Sequence, residues 1–218
     1  MNNPVFPQPQ FTYPIFDGYE TQLFHGTYRD LQNSPHLLYP VQVHGNEVEK
    51  IDFCPTSPPQ CDALITQNTE ILLAIQHADC QAAILFDPVT KSLGVVHAGW
   101  KGLVKNIYKK TVQAMQNAYS VRPENLLVAI APSLGPKNSQ FLNYKTEFPE
   151  SFWPYQEPPF YFNLRKIALD LLADEGVLKE RIFIEKTDTF ENTLACHSYR
   201  RNKTALRMAT LAQLIPQT

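Results

Sequence analysis

Residues 71–102 read ILLAIQHADCQAAILFDPVTKSLGVVHAGWKG, and they carry most of the information about the fold. Three short apolar runs, Ile71–Ile75, Ala82–Phe86 and Leu93–His97, are rich in β-forming residues and predict three strands. The residues Asp87-Pro88-Val89-Thr90 separate the last two runs and are typical of a tight turn. We therefore expect those two strands to form a hairpin.

This pattern brings two reactive side chains to the ends of neighbouring strands. Cys80 precedes the second of the three runs, and His97 ends the third just before Gly99. A thiol and an imidazole can act as nucleophile and base, or both can bind a metal. The helix that follows Gly99 also offers free backbone N–H groups to an anion at its N-terminus.

Further elements complete a mixed α/β pattern. After Gly99, apolar residues at spacings of three to five predict an amphipathic helix that runs to Tyr119. The other predicted elements are strands at Leu126–Ala131 and Arg181–Glu185, a helix between the N-cap Asn163 and the stop residue Gly176, and a final helix at Thr204–Leu214. Since strands and helices do not alternate strictly, we expect an α/β sandwich of mixed β-sheet with flanking helices.

Composition restricts the class of protein. A chain of 218 residues with 44% hydrophobic residues can bury one core, so we expect a single domain over residues 1–218. The net charge of −2 and a pI of about 6.3 give no indication of nucleic-acid or membrane binding. Met1–Gln10 lacks the pattern of a signal peptide, and no run is long enough for a membrane span. We expect a cytoplasmic protein, with a monomer favoured.

The four cysteines do not form a recognisable scaffold. Cys54, Cys61, Cys80 and Cys196 match no CxxC spacing and are too sparse for a disulfide framework, so we expect them to be reduced. Cys54 and Cys61 flank a proline-rich loop and are either a redox pair or two unrelated thiols.

Three side chains are candidate ligands for one metal ion. His44 lies beside Gly45, Cys80 follows Asp79, and His97 precedes a glycine turn. Two imidazoles and one thiolate form a three-ligand zinc set with an open fourth position. Alternatively, each histidine is a hydrogen-bonded core residue and Cys80 is a small buried hydrophobe. Asp79 either orients a ligand histidine or has an N-cap or turn role.

Five motifs together resemble one known family, described as laccase-domain or polyphenol oxidase-like and also as purine nucleoside phosphorylase and peptidoglycan editing factor. They occur in the family's order between about His44 and Ala209: Gln42-Val43-His44-Gly45, Asp62-Ala63-Leu64-Ile65-Thr66, Ala78-Asp79-Cys80, His97-Ala98-Gly99-Trp100-Lys101-Gly102 and Ser198-Tyr199-Arg200-Arg201. The resemblance implies a mixed α/β sandwich similar to the cytotoxic-factor-type Cys/His hydrolase fold.

The resemblance also implies an activity and its residues. Family members cleave adenosine, inosine, guanosine or methylthioadenosine with phosphate, and can deaminate adenosine. By motif matching, His44, Cys80 and His97 are the metal-binding and catalytic positions. Two other functions stay open: a Cys/His hydrolase or amidase that edits peptidoglycan precursors, with Cys80 as nucleophile and His97 as base, and a non-catalytic metal-binding module.

Copper oxidase chemistry is excluded by the histidine content. A multicopper cluster needs many histidines in His-x-His pairs, whereas this chain has six histidines and no such pair. The candidate set suits Zn²⁺, or adventitiously Cu²⁺. For phosphate, the turn at residues 99–102 with Lys101 or Arg200 is a candidate site, although Arg200 and Arg201 can equally be a solvated surface pair.

The chain departs from the family in places that affect the pocket. The segment Phe24–Gln42 is short, and residues 131–141 lack the cysteines, tyrosine and glutamate found in typical members. His77 stands where members have a small or hydroxyl residue, and is either a local proton donor or a packed side chain. Metal binding is therefore a safer prediction than any named substrate.

Overall fold

The computed structural model describes residues 8–20, 22–29 and 37–216. Residues 1–7, within the segment Met1–Gln10 where we expect no signal peptide, and residues 30–36, within the shortened segment Phe24–Gln42, lie outside these ranges. No helix in the described ranges has the length and apolar character needed to cross a membrane.

The described residues form ten strands and five α-helices, besides short 3₁₀ turns. The strands are β1 (Leu23–Tyr28), β2 (Leu37–Leu38), β3 (Val48–Lys50), β4 (Ala63–Thr66), β5 (Leu72–His77), β6 (Gln81–Asp87), β7 (Ser92–Ala98), β8 (Leu127–Ile130), β9 (Ile182–Ile184) and β10 (Met208–Leu214). The helices are α1 (Trp100–Val104), α2 (Ile107–Tyr119), α3 (Tyr144–Glu147), α4 (Leu164–Asp174) and α5 (Tyr199–Asn202).

The strands make two mixed sheets. The four-stranded sheet has the order β1-β10-β5-β2, with β2 parallel to β5 and the other pairs antiparallel. The six-stranded sheet has the order β3-β4-β7-β6-β8-β9, with parallel pairs at its two ends. The predicted β6–β7 hairpin is confirmed, because the two strands pair antiparallel across the turn at residues 88–91. The expected sandwich of mixed sheet with flanking helices is also confirmed, and it contains a second sheet that the pattern did not predict.

The core lies in two layers. Between the sheets, Ile75 of one sheet packs in the same cluster as Ile84 and Val95 of the other. On its opposite face the six-stranded sheet packs against helices, where Leu85 and Val96 join a cluster with residues of α2 and α4. Because both faces of β6 and β7 are covered, these strands read as nearly continuous apolar runs in the sequence.

Two helix predictions need correction. The segment Thr204–Leu214 was expected to be helical, but its second half is strand β10 at the centre of the four-stranded sheet. β10 is buried on both faces, so apolar and polar residues do not alternate along it. Without that alternation, the sequence pattern does not distinguish a strand from a buried helix. The helix predicted from Gly99 to Tyr119 is broken at Asn106, whose φ of 53° is left-handed and whose side chain caps α2. The helix from Asn163 to Gly176 is confirmed.

Candidate metal centre

His44 is held in an unusual backbone conformation by a buried carboxylate. Its φ is 58°, a region that residues other than glycine rarely adopt. The Asp62 side chain accepts hydrogen bonds from the backbone N–H groups of His44, at 3.0 Å, and of Gly45, at 2.7 Å. Such strain persists only where the surroundings fix the backbone, and here Asp62 provides that constraint.

Cys80 and His97 meet because of the register of the β6–β7 hairpin. In that register Ala82 faces His97 and Gln81 faces Ala98. Cys80, immediately before β6, therefore lies beside the end of β7. The chain reaches Cys80 from β5 through a sharp turn in which Asp79 has a φ of 88°.

The three predicted ligands come together. The ligand atoms of His44, Cys80 and His97 all lie within 4.8 Å of one another. The two imidazole rings are nearly perpendicular, with their centroids 4.8 Å apart. A Cβ atom at Gly99 would lie 3.0 Å from Cδ2 of His44 and 3.1 Å from Sγ of Cys80. A glycine at this position therefore leaves the space in which the side chains of His44 and Cys80 approach each other.

Hydrogen bonds and charge favour a thiolate at Cys80. Burial opposes ionisation of this thiol, but hydrogen bonds from His44 and His97 and their charges outweigh it and lower the pKa of Cys80 to about 6. Burial also disfavours a charged His97, yet its hydrogen bonds to Asp62 and Cys80 raise the pKa of His97 to about 9. Without a metal, Cys80 and His97 thus form a thiolate–imidazolium pair.

Asp62 is the functional residue that sequence reasoning missed. Nδ1–H of His97 donates to Oδ1 of Asp62 at 2.8 Å, which leaves the other ring nitrogen for a ligand. Burial raises the pKa of Asp62, but the hydrogen bonds from His97 and Gly45 outweigh it and hold that pKa below its usual value. The available signal in the sequence was an acidic residue directly before the apolar run Ala63-Leu64-Ile65, because a carboxylate buried beside such a strand needs a partner.

Asp79 caps a helix, and an N-cap or turn role was one of the two alternatives predicted for it. Its Oδ1 accepts from the Thr189 hydroxyl at 2.7 Å, and its Oδ2 accepts from the backbone N–H of Arg200 at 2.6 Å. It thereby fixes the start of α5, while Asp62 orients the histidine. The interpretation of Arg201 as a solvated surface residue is wrong, because its guanidinium donates to the backbone carbonyls of Thr189, Phe190 and Cys196.

A cavity of about 830 Å³ opens over the three ligands. This volume lies within the usual range of small-molecule sites. Cationic and aromatic side chains contribute much of its lining. The complete lining consists of Pro40, Val41, Gln42, His44, Gln76, His77, Ala78, Asp79, Cys80, Gln81, His97, Ala98, Trp100, Ser133, Leu134, Phe141, Leu164, Tyr199, Arg200, Lys203 and Arg207.

The two predicted phosphate-binding residues differ in position. Arg200 lines the cavity, donates from Nη1 to the Gln140 carbonyl at 3.0 Å and lies over the Phe141 ring. Lys101 is exposed and is not one of the lining residues; its ammonium lies 5.5 Å from the centre of the Trp100 ring. Helix α1 has only five residues, so the turn at residues 99–102 opens no long helix.

Two cations that the sequence did not single out also line the cavity. The ammonium nitrogen of Lys203 lies 4.8 Å from the centre of the Tyr199 ring, and the guanidinium carbon of Arg207 lies 5.9 Å from the same point. Both follow the Ser198-Tyr199-Arg200-Arg201 motif in the chain, on the segment that runs from α5 into β10. Their position depends on how α5 folds back over the cavity, which residue spacing does not reveal.

His77 is buried at the end of β5 and also lines the cavity. Its Nε2 lies 2.8 Å from the Thr210 hydroxyl oxygen. Burial, together with the charge of His97, lowers the pKa of His77 to about 3, so the ring is neutral at physiological pH. Of the two roles predicted for His77, the ring therefore has that of a packed side chain. It also forms a hydrogen bond with the Thr210 hydroxyl.

The donor set fits a single tetrahedral metal site. Two imidazoles and a thiolate with a lowered pKa are typical zinc ligands, and because all three residues line the cavity, a bound ion would be open to a fourth ligand from there. The Asp62–His97 hydrogen bond is the carboxylate contact that ligand histidines usually make. Within the described residues, His44, Cys80 and His97 are the one group of three or more His, Cys, Asp or Glu side chains placed to hold a metal ion.

Comparisons with known proteins identify relatives of this chain. A purine nucleoside phosphorylase of Xylella fastidiosa is 30% identical over 195 residues, which cover 84% of this chain and 73% of that protein. Purine nucleoside phosphorylase YfiH of Escherichia coli is 28% identical over 182 residues, covering 80% and 72%. The crystal structure of YlmD from Geobacillus stearothermophilus is similar with a TM-score of 0.74 and 26% identity, over 83% of this chain and 74% of that one.

The match to a family model is the most extensive of these findings. The model described as multi-copper polyphenol oxidoreductase laccase covers residues 25–215, which include all the strands and α-helices described above except the first two residues of β1. The resemblance inferred from the five motifs is therefore confirmed, and the chain belongs to the multi-copper polyphenol oxidoreductase laccase family.

Proposed function

We propose that this protein is a zinc-dependent purine nucleoside phosphorylase that accepts adenosine, inosine, guanosine and methylthioadenosine, and that also deaminates adenosine. The observation that carries the proposal is the convergence of His44, Cys80 and His97 at a cavity lined with cations. The similarity to proteins named purine nucleoside phosphorylase supports the same reaction class. The one three-ligand group among the described residues does not supply the several copper sites that the family description suggests.

His44, Cys80 and His97 would hold the zinc ion, with Asp62 orienting His97. When bound, zinc supplies a Lewis acid that polarises an oxygen or nitrogen of the substrate. Before a metal binds, Cys80 is already a thiolate and Asp62 already holds the His97 ring through Nδ1, so binding would displace only the proton on the other ring nitrogen of His97. This role gives the carboxylate at position 62, which has no solvent exposure, its partners.

Phosphate would bind among Arg200, Lys203 and Arg207. In phosphorolysis a phosphate oxygen forms a bond to C1′ of the ribose while the C1′–N9 bond breaks, and the base keeps the electron pair. Of the described residues that line the cavity, Asp79 is the one carboxylate, and its oxygens already accept two hydrogen bonds. The positive charge of the three cations is therefore available to an anion.

The aromatic lining suits a purine base. Trp100, Phe141 and Tyr199 line the same cavity as the metal ligands, and Tyr199 is 49% exposed. Flat apolar rings favour the stacking of a purine, while the cations favour phosphate. Adenosine deamination needs water in place of phosphate as the attacking group, so the same cavity would serve both reactions.

Turnover assays test the proposal directly. Zinc-loaded protein is incubated with each nucleoside, with and without phosphate, and the products are separated by chromatography. We expect release of free base that depends on phosphate, with ribose 1-phosphate as the second product, and slow formation of inosine from adenosine. Protein treated with a chelator should lose both activities. Zinc-replete protein that turns over none of the nucleosides would contradict the proposal.

A specific observation favours a second function, that of a Cys/His hydrolase or amidase. Asp62, His97 and Cys80 form a carboxylate–imidazole–thiolate series in which the pKa of Cys80 is lowered to about 6. This order of groups is the one that activates a nucleophilic cysteine. A chain that edits peptidoglycan precursors would use it to cleave an amide bond.

Alkylation distinguishes the two functions. We expect zinc to protect Cys80 from iodoacetamide, because a coordinated thiolate is a poor nucleophile, and we expect the chelated protein to be alkylated rapidly at neutral pH. The Cys54→Ser background removes the exposed thiol, and mass spectrometry identifies the modified residue. An amidase activity that survives chelation and disappears on alkylation of Cys80 would instead support the hydrolase.

A further inference from the structure

Two cations at the cavity share one aromatic ring. The ammonium nitrogen of Lys203 lies 4.8 Å and the guanidinium carbon of Arg207 lies 5.9 Å from the centre of the Tyr199 ring, and all three residues line the cavity. A cation over the face of a tyrosine ring is attracted by the negative charge of that face. The ring therefore holds two long side chains beside it, although their like charges repel each other.

The two cations have no acidic partner among the residues that the structure describes, where no ion pair involves either of them. Arg207 donates from Nη1 to the backbone carbonyls of Thr204 and Leu206, at 2.8 and 2.9 Å, and these bonds orient the guanidinium without neutralising it. The carboxylate of Asp79 already accepts two hydrogen bonds. The charge of Lys203 and Arg207 is therefore available to an anion in the cavity.

The backbone of Tyr199 is fixed relative to one of the metal ligands. The side chain of Ser198, which has no solvent exposure, caps α5. Asp79 accepts from the backbone N–H of Arg200 at 2.6 Å, and Asp79 directly precedes Cys80 in the chain. The start of α5 is therefore tied to the turn that carries Cys80, and Tyr199 is anchored beside the candidate metal centre.

The ring of Tyr199 contributes little to the core. Its side chain is 49% exposed, and it belongs to none of the hydrophobic clusters that the described residues form. Within the described part of the chain, the interactions recorded for this ring are those with Lys203 and Arg207. Substitutions away from the core usually change the free energy of unfolding little, so the ring can be removed in a functional test.

We propose that Tyr199 is a positioning residue for the phosphate substrate, and that its ring holds Lys203 and Arg207 in the arrangement that receives the anion. The proposal rests on the proposed function. Lysine and arginine side chains lose conformational freedom when they are immobilised, and this loss opposes binding. With the ring in place, much of the loss precedes the arrival of phosphate, so more of the attraction between the charges contributes to affinity.

Two substitutions at position 199 test the role of the ring. Tyr199→Leu removes the aromatic face, whereas Tyr199→Phe keeps it and removes only the hydroxyl. We expect Tyr199→Leu to raise KM for phosphate roughly 5- to 50-fold, since immobilising each long side chain lowers affinity about two- to tenfold. KM for inosine and kcat at saturating phosphate should change less than about threefold. Tyr199→Phe should return KM for phosphate to within about twofold of the wild type.

Other roles for this ring predict different results. If Tyr199→Leu raises KM for inosine more than KM for phosphate, the ring stacks the base and the proposal is wrong. Equal increases of KM for phosphate in Tyr199→Leu and Tyr199→Phe would assign the effect to the hydroxyl and would also overturn it. Thermal unfolding shows whether both variants keep the fold.

A double-mutant cycle tests the link between the ring and a cation. Lys203→Met should raise KM for phosphate about tenfold in the wild type, but less in the Tyr199→Leu background, where the lysine is no longer held in place. Additive effects of the two substitutions would contradict the proposal. Lys101→Met is the control, since this exposed lysine does not line the cavity, and it should leave KM for phosphate unchanged.

Calorimetric titration of the zinc-loaded proteins with inorganic phosphate is independent of turnover. We expect weaker binding by Tyr199→Leu than by the wild type and Tyr199→Phe. If this order is found but no nucleoside is cleaved, the proposed function fails while the assignment of Tyr199 stands. If nucleosides are cleaved and all three proteins bind phosphate equally, the assignment of Tyr199 fails while the proposed function stands.

Discussion

Replacing His44, Cys80 or His97 with alanine is expected to abolish zinc retention and to lower nucleoside turnover about a thousandfold or more. The three ligand atoms lie within 4.8 Å of one another, and within the described residues no fourth His, Cys, Asp or Glu belongs to the group. A site with three protein ligands that loses one keeps too few to hold the ion. The loss of a metal Lewis acid removes several kcal/mol of transition-state stabilisation, which accounts for the size of the effect on turnover.

Metal analysis after gel filtration without chelator measures retention, and inosine phosphorolysis measures turnover. Cys54→Ser is the matched control, since it removes a thiol that is exposed and lies outside the candidate site. It should keep one zinc per chain and full activity. If the His44→Ala variant retains full occupancy, the assignment of His44 as a ligand is wrong, and the exposed imidazole has another role.

The second large effect is expected for Asp62→Asn. The amide keeps the size of the side chain but removes the charge that pairs with His97, and it cannot accept at both atoms from the backbone of His44 and Gly45. We expect metal affinity to fall about 10- to 100-fold, as for other carboxylates that orient ligand histidines. We also expect the metal-free protein to lose roughly 2–4 kcal/mol in its free energy of unfolding.

Competition with a chromogenic chelator measures the affinity, and urea unfolding of the metal-free protein measures stability. Asp52→Asn is the control, because its ion pair with Lys50 joins two half-exposed side chains. Exposed pairs contribute little, so this control should change stability by less than about 1 kcal/mol and leave the metal affinity unchanged. An Asp62→Asn variant that matches the control in both measurements would show that Asp62 does not organise the site.

The sequence predicted the centre of the molecule well for a physical reason. The runs that became β5, β6 and β7 are short, apolar and separated by turn residues, so local preference and burial favour the same structure. The same reasoning failed for β10, where both faces are buried and the apolar run fits a helix as well as a strand. Membership of a second sheet is a long-range property that no local pattern contains.

The sequence alone identified the candidate ligands His44, Cys80 and His97, because their residue types suit zinc and their motifs resemble those of one family. Only the tertiary structure brought them together and revealed Asp62 as the group that holds His44 and His97. It likewise placed Arg200 in the cavity and Lys101 outside it. Residue chemistry is local and can be recognised in the chain, whereas distances between strands far apart in sequence depend on the pairing register and the packing of the whole fold.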